Sequence, residues 1–122
     1  MKLVRNAHAQ IHQTLQYHIS RNKERFISRV AGLVDTSAGR EGCWLWRGTI
    51  KHNGYGCINF RLPGNKHIQF GAHAMFWVLA HQRNVRPGFE LDHTCQNPVC
   101  VNPAHLEEVP VPENKRRVHQ RR

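Results

Sequence analysis

Three soft metal ligands lie close together near the C-terminal end of the chain. Cys95, Cys100 and His105 follow one another at intervals of five residues, and Asn-Pro turns between them can fold the segment back on itself. Thiolate sulfur and imidazole nitrogen are ligands that zinc prefers, and a closed structural site needs four of them. Cys43 is the better fourth ligand, because Cys57 falls within a predicted strand and is typical of a small buried hydrophobe. The alternative is a loop of ordinary buried or hydrogen-bonded side chains.

A histidine and two oxygen-bearing side chains flank this loop. Asp92 and His93 precede the loop, and Asn114 follows it. An imidazole can accept a proton from water near neutral pH, whereas carboxylate and amide oxygens are hard ligands that suit Mg²⁺. A closed zinc site has no free coordination position, so zinc cannot be the catalytic metal. A structural zinc ion beside a histidine base and a second divalent ion is an arrangement suited to phosphodiester hydrolysis.

Helices are predicted at the start of the chain, ahead of the residues that could do chemistry. Apolar residues recur every three or four positions there, which predicts two helices or one kinked helix. Asn22 can cap the second helix, and residues 36–42 are rich in Ser, Gly and Ala, as is typical of a linker. The apolar positions are Ala7, Ile11, Leu15 and Ile19, followed by Phe26, Ile27, Val30 and Leu33.

Short strands are predicted after this linker. Residues 43–46, 55–62 and 67–70 predict a small antiparallel sheet with turn residues between its strands. Apolar residues at helical spacing over 72–80 predict one helix behind that sheet. The helical start and the sheet together predict the α+β class, with a basic N-terminal helical region at 1–40 and a main domain at 41–122.

Two further strands and a helix are predicted at the end of the chain. Residues 89–93 and 106–109 have strand character, and they enclose the predicted zinc loop. Pro112 is acceptable in the first turn of a helix, so a basic terminal helix follows. Asp92 and His93 would then end a strand, and Asn114 would lie on the helix.

The charge of the chain points to a polyanionic partner. There are 18 Lys and Arg residues against 8 Asp and Glu residues, which gives a formal net charge of +10. Nucleic acid is the favoured partner, and an acidic membrane surface is the weaker alternative. No stretch is long and apolar enough for a membrane span, and the first residues lack a signal-peptide core. We therefore expect a cytoplasmic protein whose cysteines remain thiols or bind metal.

The motifs in residues 26–114 resemble those of HNH endonucleases of the His-Me finger (ββα-metal) superfamily. The resemblance is to phage and homing-type members in which zinc staples the loop, and it implies a ββα-metal finger at about residues 89–120. The matching motifs are Cys43-Trp44-Leu45-Trp46-x-Gly48, Gly54-Tyr55-Gly56, Ala72-His73, His93-x-Cys95, Asn97-Pro98-x-Cys100-x-Asn102-Pro103-x-His105-Leu106, and Asn114.

The resemblance also implies a role for each residue outside the zinc site. His93 is expected to be the general base, and Asn114 is expected to hold the catalytic divalent ion. Asn102 is expected to brace the loop and orient the histidine rather than touch the substrate. Asp92 is a second metal ligand in other HNH enzymes, although many zinc-stapled relatives have a different residue there.

One departure from the family concerns phosphate binding. Relatives often place an arginine after the histidine that starts the helix, whereas Ala74 follows His73 here. Arg61, on a predicted strand, is the candidate substitute. The basic residues beside Asn114 are expected to contact phosphates rather than form only a solvated face. These residues are Lys115, Arg116, Arg117, Arg121 and Arg122.

The sequence thus predicts an enzyme with two kinds of metal ion. We expect an endonuclease that cuts duplex DNA to 5′-phosphate and 3′-hydroxyl ends, with one structural Zn²⁺ and one catalytic Mg²⁺ or other divalent ion. A phage-encoded protein acting in the host cytoplasm, as a monomer or homodimer, fits this expectation. The alternatives are a zinc-stabilised DNA-binding module that does not cut, and an enzyme acting on RNA or structured junctions.

Overall fold

The computed structural model describes residues 2–3 and 7–121, in which four α-helices and seven short strands form. The class is α+β, as predicted, and the strands are arranged in three small sheets. Every described helix is too short or too polar to span a bilayer. The strands are β1 (Lys2–Leu3), β2 (Val34–Asp35), β3 (Leu45–Trp46), β4 (Cys57–Leu62), β5 (Lys66–Gly71), β6 (Phe89–His93) and β7 (Leu106–Pro110). The helices are α1 (Ile11–Arg21), α2 (Lys23–Ala31), α3 (Ala72–His81) and α4 (Val111–Gln120).

Two helices, α1 and α2, form the N-terminal region, as the apolar spacing predicts. Asn22 separates them, and its side chain accepts a hydrogen bond of 3.0 Å from the backbone nitrogen of Arg25. This bond satisfies a free N–H group at the start of α2, so Asn22 is the predicted helix cap. Each helix buries one apolar face, and the side chains that do so are Ile11, Leu15, Phe26 and Val30.

The largest sheet has the strand order β1-β5-β4. Strands β4 and β5 are antiparallel, with Cys57 opposite Gly71 and Leu62 opposite Lys66, as the turn residues between them predict. The predicted sheet is purely antiparallel and includes residues 43–46, but β1 runs parallel to β5, and β3 pairs with β2 in a separate sheet. The pairing of β1 with β5 joins distant parts of the chain, and no local pattern in the sequence signals it.

Helix α3 begins directly after β5 and packs into the core. Its Met75 is fully buried, and Trp77 is 2% exposed. One continuous cluster of buried apolar side chains extends from Ile11 in α1 to Leu106 in β7. The described residues of the N-terminal helical region and of the main domain therefore share a core.

The C-terminal part contains a β-hairpin followed by a helix. Strands β6 and β7 are antiparallel, and His93 pairs with Leu106 at the end that opens into the cysteine-containing loop. Helix α4 begins at Val111, with proline in its first turn as predicted. The order of strand, strand and helix agrees with the order expected for residues 89–120.

Candidate functional site

Four side chains that can bind a metal ion meet at the loop between β6 and β7. The sulfur atoms of Cys43, Cys95 and Cys100 and a ring nitrogen of His105 all lie within 4.8 Å of one another. His105 Nδ1 is 3.6 Å from the sulfur of Cys43 and 3.5 Å from that of Cys100. Zinc bonds of about 2.3 Å to sulfur and about 2.0 Å to nitrogen place such atoms about 3.6 Å apart in a tetrahedron. The four residues are close enough to bind zinc, as predicted.

Backbone pairing brings Cys43 to this loop. The backbone nitrogen of Val101 donates a hydrogen bond of 2.8 Å to the carbonyl of Trp44, the residue after Cys43. Cys57 is instead buried in β4, where it is 4% exposed. The choice of Cys43 over Cys57 is therefore confirmed, and the reason is the pairing of the entry to β3 with the loop.

The imidazole of His105 is oriented by a contact outside the cluster. Its Nε2 lies 2.8 Å from the carbonyl oxygen of Glu41. Because a carbonyl oxygen can only accept, Nε2 carries the proton and the lone pair of Nδ1 faces the thiols. Histidines that bind zinc usually have their second nitrogen held in this way. The arrangement of His105 thus fits a zinc ligand.

Asn102 braces the cluster from within the core, where it is 2% exposed. Its amide nitrogen donates to the carbonyl oxygens of Gly42 at 2.7 Å and Arg40 at 3.1 Å. Its amide oxygen accepts from the backbone nitrogen of Ala104 at 3.0 Å. These bonds connect the segment before Cys43 to the turn after the loop. They agree with the expected bracing role, and an effect of Asn102 on the histidine base stays a prediction.

His93 ends β6 and is oriented by the same loop. The residue is 7% exposed, and its Nε2 lies 3.0 Å from the carbonyl oxygen of Cys100. Because that carbonyl can only accept, Nε2 carries the ring proton and Nδ1 keeps its lone pair. Burial lowers the pKa of His93 below its ordinary value, which favours the neutral imidazole near pH 7. In this form the ring can accept a proton at Nδ1.

Two aromatic neighbours connect His93 to a cleft. The centroid of its ring lies 4.7 Å from that of His73 and 5.7 Å from that of Tyr55. Both neighbours line a cleft of about 480 Å³, which Glu90 and Asn114 also line. His73, from the Ala72-His73 motif, is therefore beside the candidate base.

Asn114 presents a buried oxygen atom to this part of the molecule. Its Nδ2 donates a hydrogen bond of 2.6 Å to Oε1 of Glu90, and a carboxylate can only accept, so the bond fixes which end of the amide is nitrogen. Its Oδ1 is buried and has no hydrogen-bond partner among the described residues. A buried polar atom without a partner is costly. This oxygen therefore fits a ligand for a hard cation.

Glu90 is a site residue that the sequence interpretation missed. Its signal is the alternation of side chains along a strand, which puts Glu90 and Asp92 on the same face of β6. That face packs against α4, because Glu90 contacts Asn114 and Asp92 contacts Arg117. To identify these pairs from the sequence, one would also have to know which side of the terminal helix faces β6.

Asp92 is bound by arginines of the C-terminal segment, and its expected role as a magnesium ligand stays a prediction. Its Oδ1 accepts from Arg121 at 2.8 Å, and its Oδ2 accepts from Arg121 at 3.0 Å and Arg117 at 3.1 Å. These hydrogen bonds, that of Arg121 foremost, hold the pKa of the carboxyl below its ordinary value. The residue is 3% exposed, and both of its oxygens are engaged in an internal ion pair.

Part of the basic segment predicted to contact phosphates is also engaged internally. Besides its bond to Asp92, Arg117 forms an ion pair of 3.3 Å with Glu113, and Arg116 pairs with the same carboxylate. Lys115 is exposed. Arg122 lies outside the described residues. A role for Lys115 and Arg116 in binding nucleic acid stays a prediction.

Arg61 lies apart from the cleft beside His93. Arg61 is in β4, opposite His67 of β5 and four residues along the strand from Cys57. Cys57 lines that cleft, and four strand residues span about 13 Å. Arg61 instead lines another groove, and its role as a substitute for an arginine at the reacting phosphate stays a prediction.

The chain is similar to Protein 2.8 of Escherichia phage T7, with 33% identity over 67 residues. The matched region covers 53% of this chain and 40% of the phage protein, which is less than half of that relative. No protein-family model and no solved structure matches the chain. The comparison therefore connects the chain with a phage protein, and an activity has to be argued from the site itself.

Proposed function

We propose that the chain is a metal-dependent DNA endonuclease of the HNH type. The observation that carries this proposal is the hydrogen bond of 3.0 Å between Nε2 of His93 and the carbonyl of Cys100. It leaves the lone pair of Nδ1 on a neutral ring that can take a proton from an attacking water. The motif resemblance supports DNA as the substrate, with 5′-phosphate and 3′-hydroxyl products.

Asn114 is the residue that would hold the catalytic divalent ion. Its Oδ1 is a hard ligand atom, buried and without a hydrogen-bond partner in the described part of the chain. Glu90 keeps that oxygen oriented through the bond to the amide nitrogen. Mg²⁺ bound there would stabilise negative charge on the phosphate and the leaving oxygen. Asp92 would join the ligand set only by exchanging its bonds to Arg117 and Arg121 for the ion.

In this proposal the zinc site acts only through the position of the loop. The thiolates and His105 hold the loop in place, and Asn102 braces it through bonds to Gly42 and Arg40. The Cys100 carbonyl then holds Nε2 of His93 as the donor, so that Nδ1 is the nitrogen that accepts the proton. Zinc contributes no reacting atom, since four protein ligands close its coordination.

A DNA-binding module that does not cut is the second candidate function. The observation that favours it is the engagement of both oxygens of Asp92 with Arg117 and Arg121. This pairing leaves Asn114 to offer a single neutral oxygen, which binds a divalent ion more weakly than an added carboxylate would. The two candidates share a zinc-stabilised fold and differ in cleavage.

A plasmid nicking assay with and without Mg²⁺ separates these functions. Wild-type protein should cut in the presence of Mg²⁺, and His93→Ala should cut about 10²–10⁴-fold more slowly because the general base is lost. His12→Ala is the matched control, since His12 lies on α1 and does not line the cleft beside His93. Both variants should keep full zinc content by elemental analysis and should still bind DNA.

Asn114→Ala gives a second and different signature. It should also lose cleavage while keeping zinc, but raised Mg²⁺ should restore part of its activity because the defect is in ion binding. Raised Mg²⁺ should not restore His93→Ala. Loss of zinc in His93→Ala would assign this histidine to the structural site, and an inactive wild-type protein that binds DNA would favour the non-cutting module. Parallel assays on single-stranded DNA and RNA define the substrate.

A further inference from the structure

A second and larger cleft lies between the N-terminal helices and the β4–β5 strands. Its volume is about 820 Å³, and it shares no lining residue with the cleft beside His93. No carboxylate lines it. We call this cleft the basic groove, and its cationic or titratable lining residues are His18, Arg21, Arg25, Arg29, Arg61 and His67.

The arginines of the basic groove form no ion pair with any residue that the structure describes. Within residues 2–3 and 7–121, every ion pair between an arginine and a carboxylate uses an arginine outside the groove. The groove arginines are also exposed; they are Arg21, Arg25, Arg29 and Arg61. Their charges are therefore available to a partner, whereas Arg116, Arg117 and Arg121 are paired with carboxylates.

The groove concentrates positive charge at a cost to the fold. Arg25 and Arg29 are four residues apart on α2, and like charges at this spacing repel each other. Burial lowers the pKa of His18, and the charges of Arg29 and Arg21 lower it further. An anion in the groove would relieve this repulsion, because it would supply the negative charge that no residue lining the groove provides.

The groove offers charge and hydrogen-bond donors rather than surfaces on which bases could stack. Phe26 and Phe60 contribute to its floor but are 7% and 2% exposed, so their rings are covered. Arg29 is held in place by a bond of 2.7 Å to the carbonyl of Asn59. The side chains of Arg25 and Arg61 make no hydrogen bond or ion pair with any described residue. Such a surface suits phosphates, which carry no sequence information, rather than unstacked bases.

We propose that the basic groove binds the sugar-phosphate backbone of duplex DNA at a distance from the cleavage site. The choice of DNA rests on the proposed function, whereas the expectation of a partner with several negative charges rests on the arginines of the groove itself. Arg25 and Arg61 contact phosphates directly. Arg29, whose side chain is bonded to the carbonyl of Asn59, contributes mainly positive electrostatic potential. The bound duplex is thereby anchored on the N-terminal helices and β4 while another part of it reaches the cleft beside His93.

The test is the salt dependence of binding to a fluorescent duplex without added Mg²⁺, so that no cleavage occurs. The slope of log affinity against log salt should become shallower by about 0.9 in Arg25→Ala and in Arg61→Ala, and by about 1.8 in the double variant. Arg25→Lys should keep the slope of the wild type, because it keeps the charge. Arg47→Ala is the matched control: it removes an exposed arginine that is paired with Asp35 and should not change the slope.

The outcomes separate this proposal from the proposed function. Groove variants with the same slope as Arg47→Ala, or a wild-type chain that binds no duplex DNA, would overturn the groove proposal. Shallower slopes in a protein that fails to nick DNA would uphold the groove and reject the endonuclease. Nicking by a wild type whose groove variants keep its slope would do the reverse. The two positions lie on different elements, so if one variant does not fold, the other decides.

Discussion

The basic groove and the C-terminal segment are both rich in arginine. Among the described residues, the groove arginines form no ion pair, whereas Arg116, Arg117 and Arg121 all pair with carboxylates. Arg117 contacts Asp92, Glu107 and Glu113, and Arg121 contacts Asp92. Charge counted along the sequence is therefore a poor guide to the charge presented to a partner. Geometry decides which cations are neutralised within the protein.

The pairing in the C-terminal segment has a physical reason. Asp92 and Glu107 are directly opposite each other in the β6–β7 pair, where like charges destabilise a sheet. Arg117 contacts both carboxylates, and so it removes this repulsion. The arginines that most resemble a DNA-binding tail in the sequence thus stabilise the hairpin on which His93 lies.

The largest expected effect comes from breaking the zinc site, because it joins β3 to the hairpin. Structural zinc contributes about 10–16 kcal/mol of apparent binding free energy, comparable with the whole stability of a domain. Cys100→Ser should therefore misfold and bind no zinc, as measured by circular dichroism and elemental analysis. Cys57→Ser is the matched control and should keep zinc while losing about 1–3 kcal/mol. If Cys100→Ser kept its fold, the ion pairs alone would suffice to hold the hairpin.

A smaller effect is expected from Asp92→Asn, which removes the negative charge between Arg117 and Arg121. The free energy of unfolding in urea should fall by about 3 kcal/mol, the low end for a broken buried ion pair, because the arginines are partly solvated. The released arginines should also make DNA binding more salt-dependent. Glu24→Gln removes an exposed carboxylate in the first turn of α2 that forms no ion pair with any described residue; it should change stability by about 1 kcal/mol at most. An unchanged stability in Asp92→Asn would remove the distinction between the two regions.

The smallest effect is expected from Lys115→Ala and Arg116→Ala. Both side chains are exposed, and surface charges of this kind contribute about 0–1 kcal/mol to stability. Their effect on the salt dependence of DNA binding should be smaller than that of Arg25→Ala. The measurement is the same titration of a labelled duplex. Equal or larger effects at these positions would restore the C-terminal segment as the main contact with phosphates.

Local patterns in the sequence predicted much of the fold and the zinc ligands. Apolar spacing identified α1, α2 and α3, and turn residues identified β4 and β5. Cys95, Cys100 and His105 could be assigned because ligand type and short spacing are enough to suggest a zinc loop. Cys43 could be assigned because Cys57 falls within a strand. These signals need only residues that are near one another in the chain.

The remaining features depend on how separate elements are oriented. The parallel pairing of β1 with β5 joins Lys2 to Lys66, and the sequence contains no local sign of it. To predict the contact between Glu90 and Asn114, one must know which face of β6 and which side of α4 turn toward each other. For a related reason, the groove that Arg61 lines could not be predicted. Strand character alone does not show which end of a strand lies near the site.

Cys100 has two polar ends with different partners. Its sulfur belongs to the metal cluster, and its carbonyl oxygen accepts the hydrogen bond from His93. Metal coordination and the choice of ring tautomer therefore share one residue, and thermodynamic reciprocity applies to them. If bound zinc stabilises the Nε2–H form of His93 by some free energy, then that form increases the affinity for zinc by the same free energy. We therefore expect loss of zinc to weaken the hydrogen bond that selects which nitrogen of His93 is basic, as well as to remove the support of its loop.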